Sequence, residues 1–499
     1  MAIQSRATVV AIKKETTEGT PVLPTGATNF VPVQADFTLV PSFDTLENAE
    51  LKNSLGPAKP IQGLENPSSS LSLYLKNSGT GGTAPNYGPL LEAAFGEVDD
   101  AGVEHDTVSS STTTVVKVDT GEGATYQKLQ LLLIKDATNG YSIRPVESIS
   151  SDDLTLLFAL SNAPGTGVSL GEAVMYRPAT TGHPTLSLWQ YLGNSGAIQG
   201  LAGGRVTDLS IDFNAGELIN ASYTIEGTKF YFNPIEITSS TKYLDFNDGS
   251  DRNAVLTEKV YRDPHELAAA AQTAMDALSS DTITVVYSDS TGKFTFTSNG
   301  GTFNLEWNSG SNTANSAATK FGFTTAADST GGGPYTSANA ITLTAPYTPT
   351  YDSADPLAAK SNVCFIGDQD DNVCFAASTV NVSISNSKAD ILSICAESGK
   401  SGSVISQRTS TISVTALLNQ YDVDKFKRFR ANDATRFMYA FGEKSGGNWV
   451  AGKCGAVVSP TCTITSFELA DQDGLVVMNL ELTAYVDDSG NPEIALGFV

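Results

Sequence analysis

Hydrophobic and polar residues alternate along most of the chain. Residues 70–75 (Ser-Leu-Ser-Leu-Tyr-Leu), 209–213, 380–384 and 411–416 all repeat at period two, which predicts strands with one dry face and one wet face. Helical spacing is rare. The clearest case is residues 264–278, where Pro264 opens the first turn and Leu267, Ala271, Met275 and Leu278 share a face. Shorter helices are predicted at 89–95 and 423–430. Segments 78–84, 309–318, 326–338 and 346–354 are rich in Gly, Ser, Thr or Pro and read as spacers or surface loops. The fold class expected is mainly β.

Comparing the chain with itself adds a second level. Ser210-Ile211-Asp212-Phe213 aligns with Ser466-Phe467-Glu468-Leu469 at an offset of 256 (468 − 212). Upstream, a strand at 37–40, a polar excursion and a strand at 71–75 mirror 380–384, another excursion and 412–418, and each second strand precedes a short helix. These parallels predict a diverged tandem duplication. The division expected is an N-terminal arm at 1–29, a first core at 30–96 plus 183–235, an inserted small β-barrel at 97–182, an inserted α+β domain at 236–359 and a second core at 360–499. In the α+β insert, strands 282–287 and 293–297 are expected to pair across Asp289-Ser290-Thr291-Gly292, with 303–307 continuing the meander.

Composition narrows the function. The 499 residues suffice for about two to four domains. Fifty-four acidic against 30 basic side chains give a net charge of −24, which repels a polyphosphate at long range. Tight nucleic-acid binding is therefore not expected. The apolar stretch 7–12 is too short for a signal segment, and no run reaches membrane-spanning length. The odd count of five cysteines, without CxxC spacing, predicts reduced thiols and assembly in a reducing cytoplasm.

Signatures of catalysis are missing. His105, His183 and His265 are the only histidines, none near a GxSxG motif or a paired Asp/Glu/His cluster, and the glycines at 79–82 lack the lysine of a phosphate-binding loop. Catalytic, metal and cofactor sites are expected to be none. The acidic run 245–251 hints at calcium, but its glycine falls one position early for an EF-hand and no bidentate glutamate follows.

Two segments, Glu15-Thr16-Thr17-Glu18-Gly19-Thr20-Pro21 and residues 81–91 (Gly-Gly-Thr-Ala-Pro-Asn-Tyr-Gly-Pro-Leu-Leu), resemble the tail tube (major tail) proteins of siphophages. Supporting matches are His183 to Trp189, and Gly204-Arg205-Val206 through Gly216-Glu217-Leu218. The resemblance implies a structural virion subunit: tail-tube-type β-sandwich cores contribute strands to a closed ring barrel, and the rings stack into the channel for DNA ejection. Single-copy members form six-subunit rings, so a chain with two copies implies a homotrimeric, pseudo-hexameric ring, a hexamer being the alternative. Implied partners are other copies of the chain, a tape measure protein, tail terminator and distal tail proteins, and double-stranded DNA in transit, with no membrane. Competing readings are a capsid decoration or distal tail protein, an adhesin or S-layer unit, and a tail spike.

Within that frame three groups of residues stand out. Asp208, Asp212 and Glu468 lie on the non-core face of their strands, either as lumen-facing acids or as ordinary solvated positions. The excursions at 48–68 and 387–410, with Leu55, Pro57, Lys59, Pro60, Ile391 and Lys400, are candidates for contact between rings or simply loops. On the helix at 423–430, Lys425, Arg428 and Arg430 are expected to form a solvated basic face that meets acidic loops of a neighbouring subunit. The N-terminal segment is expected to reach a neighbour or to fray.

Overall fold

The structure is a computed structural model that describes residues 5–50, 56, 58–99, 104–136, 140–193, 196–371, 373–419, 423–487 and 491–499. Among these residues it is mainly β, with three α-helices. The strands that build the centre are numbered here in chain order. The first half contributes β1 (Val9–Lys14), β2 (Thr38–Val40), β3 (Phe43–Leu46), β4 (Ile61–Glu65), β5 (Ser68–Tyr74), α1 (Gly88–Phe95), β6 (Leu186–Leu192), β7 (Ala197–Asn214), β8 (Asn220–Glu226) and β9 (Lys229–Phe232). Helix α2 (Pro264–Asp276) follows. The second half contributes β10 (Val363–Gly367), β11 (Ala377–Leu392), β12 (Lys400–Leu417), α3 (Asp424–Ala431), β13 (Ala434–Ser445), β14 (Asn448–Gln472), β15 (Leu475–Ala484) and β16 (Ala495–Phe498).

Eight strands form one continuous antiparallel sheet in the order β2, β5, β8, β7, β11, β12, β15, β14. The second four repeat the pairing order of the first four. The repetition extends to the opposing layer, where β1–β6–β7–β9 has its parallel in β10–β13–β14–β16. Strands β7 and β14 are long enough to serve both layers.

Two irregularities fix the correspondence residue by residue. The β6–β7 ladder slips where Leu186 and Leu188 face Gly204 and Leu201, and the β13–β14 ladder slips where Thr435 and Phe437 face Cys462 and Ser459, giving 462 − 204 = 258. The next bulge follows at Val206/Asp208 in β7 and at Ile464/Ser466 in β14, again 258 residues apart (464 − 206). The offset of 256 expected from the sequence is therefore corrected by two. A two-residue slip leaves every side chain on its expected face, but it makes Ser210, not Asp212, the counterpart of Glu468.

Other expectations change as well. Residues 9–14, placed in an N-terminal arm, are a core strand: Val10, Ala11 and Ile12 are buried, and β1 is the counterpart of β10. The excursion at 387–410 is no loop. Strands β11 and β12 run on as one hairpin, paired from Ala377↔Ala416 out to Leu392↔Lys400, while β3 and β4 form a shorter hairpin in the same place in the first half.

In the first insert, Val115–Lys117, Asp153–Leu156, Gly140–Ser150 and Leu131–Asp136 pair in that order as an open sheet, not a barrel. The sheet stays open with each of its faces packed on a separate core. Leu132 and Ile134 point into the insert's own core, whereas Leu131 and Leu133 pack with Met438, Trp449 and Val458 of the second half. The second insert has its own aromatic core around α2, whose N-cap Asp263 accepts from the Glu266 amide at 2.9 Å. Its expected hairpin forms as Ile283–Ser288 with Lys293–Ser298, but the third strand on it is Tyr335–Thr336. Residues Asn304–Leu305 pair instead with Tyr243–Asn247. Val260 of this insert packs with Trp189 and Tyr231 on the opposing layer of the first half, so each half has one insert against that layer.

A polar hub joins the two halves. Arg205 donates to the Glu18 carboxylate (3.0 Å), the Ser403 carbonyl (2.7 Å) and the His183 carbonyl, and Glu18 also accepts from the Ser403 hydroxyl (2.9 Å). Glu15 accepts from Gly19 N, Thr185 Oγ1, Ser187 Oγ and Gly203 N. The Glu15–Pro21 segment thus ties strands of its own chain together. His183 sits beside Arg408, and burial together with the charges of Arg408 and Arg205 pushes its pKa down to about 4 from 6.5. Because the folded value is the lower one, this group's contribution is complete above pH 6.5 and is lost as pH falls from 6.5 toward 4. Thermal melts should show the midpoint dropping across that window, and His183→Gln should flatten that part of the slope.

Candidate functional site

The eight-stranded sheet has two unlike faces. Leu209, Ile211, Phe213, Val382, Ile384, Ile412, Val414, Leu480 and Leu482 point to the core and are almost fully buried. On the other face, register rows run straight across the boundary between the halves. One row is Ser72, Ser222, Ser210, Ser383, Thr411 and Thr483; the next is Tyr74, Asn220, Asp212, Asn381, Ser413, Glu481 and Ser466; a third is Asn214, Thr379, Thr415, Asn479 and Glu468. Small hydroxyl and amide groups dominate, three residues are acidic, and no row contains a lysine or arginine. Cross-strand hydrogen bonds flatten this surface: Asn381 Nδ2 donates to Asp212 (2.6 Å) and to Ser210 Oγ (2.8 Å), Ser385 Oγ donates to Asp208 (2.9 Å), and Thr415 donates to Asn479 (2.9 Å). Asp208 and Glu468 are exposed and Asp212 is half-buried, all three on this face.

The sheet ends in two open edges. Among the described residues, β2 pairs only with β5, and β14 beyond Ser466 pairs only with β15. The edge of β14 differs from its counterpart inside the chain. Ile211 of β7, with β11 alongside it, is 1% exposed, whereas Leu469 of β14, on the open edge, is 51% exposed. Phe467 is covered on its own side by Phe429 and Phe426 of α3, at ring separations of 6.2 and 5.5 Å.

The remaining predicted residues divide. Lys425 and Arg428 do not form a solvated basic face. Both are buried, Lys425 against Asp424, and Arg428 held by Asp368 (2.7 Å) and Asp424 (2.9 Å), which raise its pKa further; Phe426 is half-exposed over Phe467 instead. The helix turns this way because the acidic turn at 368–371 lies opposite it. Arg430 is exposed. Lys400, expected at a contact between rings, is buried and paired with Asp390 (2.7 Å). Ile391, Lys59 and Pro60 are exposed, and Leu55 and Pro57 lie outside the described residues. In the acidic run at 245–251, Asp245 is buried and accepts from the Asn312 backbone and side-chain amides and from Asn253, so its carboxylate serves the insert's own packing. No group of three metal-ligating side chains converges among the described residues. Sequence reasoning missed the two open edges, since an edge strand carries the same alternation as an interior one.

A family model described as phage tail tube protein matches residues 5–258. No curated protein matches the chain. Among solved structures, a chain from the virion of a native gene transfer agent particle is 16% identical, with 27% of this chain and 95% of its own covered and a TM-score of 0.20. A chain from the tail of an empty gene transfer agent particle with C6 symmetry is 15% identical, covering 28% of this chain and 96% of its own, also with a TM-score of 0.20.

Proposed function

The chain belongs to the phage tail tube protein family and is a structural subunit of the phage tail, and we propose that three copies close one ring whose wall is the polar face of the eight-stranded sheet. One observation carries the reading: the junction inside the chain, β7 against β11, joins the last strand of one repeat to the first strand of the next. The open edges β14 and β2 are the same two strand types, left unpaired. Pairing β14 of one copy with β2 of the next would extend the sheet at a junction of the kind the chain already contains, and would remove both edges.

The internal junction also gives the register. Asp208 leads through Thr224 and Ser70 to Thr38, and its counterpart Ser466 leads through Glu481 and Ser413 to Asn381, so Thr38 corresponds to Asn381. Within the chain Asn381 pairs with Asp212, whose counterpart is Ala470. Between chains Ala470 therefore faces Thr38, and Leu469 faces Leu39. Three chains of eight strands give a wall of twenty-four, with both inserts on the outside. Assembly in the host cytoplasm and contacts with tape measure, terminator and distal tail proteins belong to the same proposal.

The polar rows suit a channel for DNA in transit. Asp208, Asp212 and Glu468, repeated around a ring, would repel phosphates, and the hydroxyl and amide groups between them offer no cationic grip. If this face lines the lumen, replacing Asp208, Asp212 and Glu468 with lysine should give tubes that bind DNA, with affinity falling steeply as salt rises. Wild-type tubes should show no such binding. DNA binding that is equally weak in both would remove the lumen assignment.

A further inference from the structure

The two hairpins that project beyond the shared sheet meet at a buried lysine. Lys400, at the start of β12, has its side chain 1% exposed, and its Nζ hydrogen-bonds to Oδ1 of Asn66, the residue between β4 and β5. The second face of the ammonium meets Asp390 at 2.7 Å, and Asp390 is shared with Lys388 at 3.0 Å. The amide nitrogen of Asn66 is equally well placed, since Nδ2 donates to Oδ1 of Asp44 at 2.7 Å. The backbone holds the arrangement: Asn66 N donates to the Ser42 carbonyl, and Glu65 N to the Ser398 carbonyl. An amine, a carboxamide and a carboxylate on each side of them are thus brought together from four separate segments.

We propose that Lys400 and Asn66 form an intramolecular isopeptide bond. Asp390 takes a proton from the Lys400 ammonium and frees the amine, which attacks Cγ of Asn66. The Nζ–Cγ bond forms and the Cγ–Nδ2 bond breaks. The two protons shed by Nζ pass through Asp390 and Asp44 to the departing nitrogen, which leaves as ammonium, so neither oxidant nor cofactor enters. Asp44 is exposed, which gives the leaving group a path to solvent. Fixing the buried amine against the carbonyl supplies the proximity that lets an otherwise inert amide react. The product would weld the hairpin of the second half to that of the first, independently of how rings form.

Mass spectrometry of the folded wild-type chain tests this directly. The mass should fall short of the sequence mass by one ammonia, and digestion should yield a branched peptide joining the segments around Asn66 and Lys400, with no tryptic cleavage after Lys400. Lys400→Arg and Asn66→Ala should each restore the sequence mass, and Asp390→Asn should slow or abolish the linkage. A wild-type chain at its full sequence mass, or an ammonia deficit that maps to any other residue, would overturn the proposal.

Discussion

Leu469→Asp is expected to abolish ring formation while leaving the folded chain nearly as stable as before. Leu469 is half-exposed on an open edge, so in the isolated chain the substitution removes little buried surface and should shift stability by less than about 1 kcal/mol. At the junction the balance reverses. There the side chain should meet Leu39 in the setting that buries Ile211 inside the chain, where a leucine contributes about 2 kcal/mol and an unpaired carboxylate costs several more. A loss of about 3 kcal/mol or more at each junction lowers its association constant by a factor of 100 or more, and a ring needs all its junctions at once. Sedimentation of the variant should give monomer with an unchanged melting midpoint. Ile211→Asp provides the contrast, because the same change at the internal junction should prevent folding. Normal tubes from Leu469→Asp would mean that β14 is not the joining edge.

Arg205→Ala should produce the largest loss of stability among polar substitutions. The guanidinium is almost fully buried and satisfies Glu18, the Ser403 carbonyl and the His183 carbonyl together, joining the N-terminal segment, β7 and β12. Its removal leaves the Ser403 and His183 carbonyls without this donor and takes the counter-charge from Glu18, which keeps only the neutral donors of Ser403. Breaking a buried pair in this way costs about 3–5 kcal/mol, and the partial exposure of Glu18 places the expected value near the lower end. Chemical denaturation should show it as a lower midpoint. Arg205→Lys should recover only part, since an ammonium cannot span the three acceptors in the fixed fork that Arg205 presents. A variant within about 0.5 kcal/mol of wild type would mean that the hub adds nothing to the union of the halves.

The alternation of residues 209–213 and 380–384 was legible because each strand has one wet and one dry face, and the same property placed Asp208, Asp212 and Glu468 correctly on the polar side. It also misled the self-comparison. A small-large-acidic-large string is nearly unchanged by a slip of two, and the bulges at Val206/Asp208 and Ile464/Ser466 that decide the offset leave no mark in it. Residues 9–14 escaped as a core strand because Val9 to Ile12 form a continuous apolar run that carries no alternation. The orientation of α3 depends on Asp368, sixty residues upstream of Arg428, and helical spacing carries no information about a partner so distant.

The most direct test of the ring is covalent capture at its predicted seam. With Cys374 and Cys395 replaced by serine, Thr38→Cys and Ala470→Cys in one chain should place two thiols on paired residues, close enough for a disulfide. Oxidised tubes run on a denaturing, non-reducing gel should give a ladder of one, two and three chains that ends there, with the closed trimer as the final species. A ladder continuing to six chains, or no crosslink in well-formed tubes, would contradict the account.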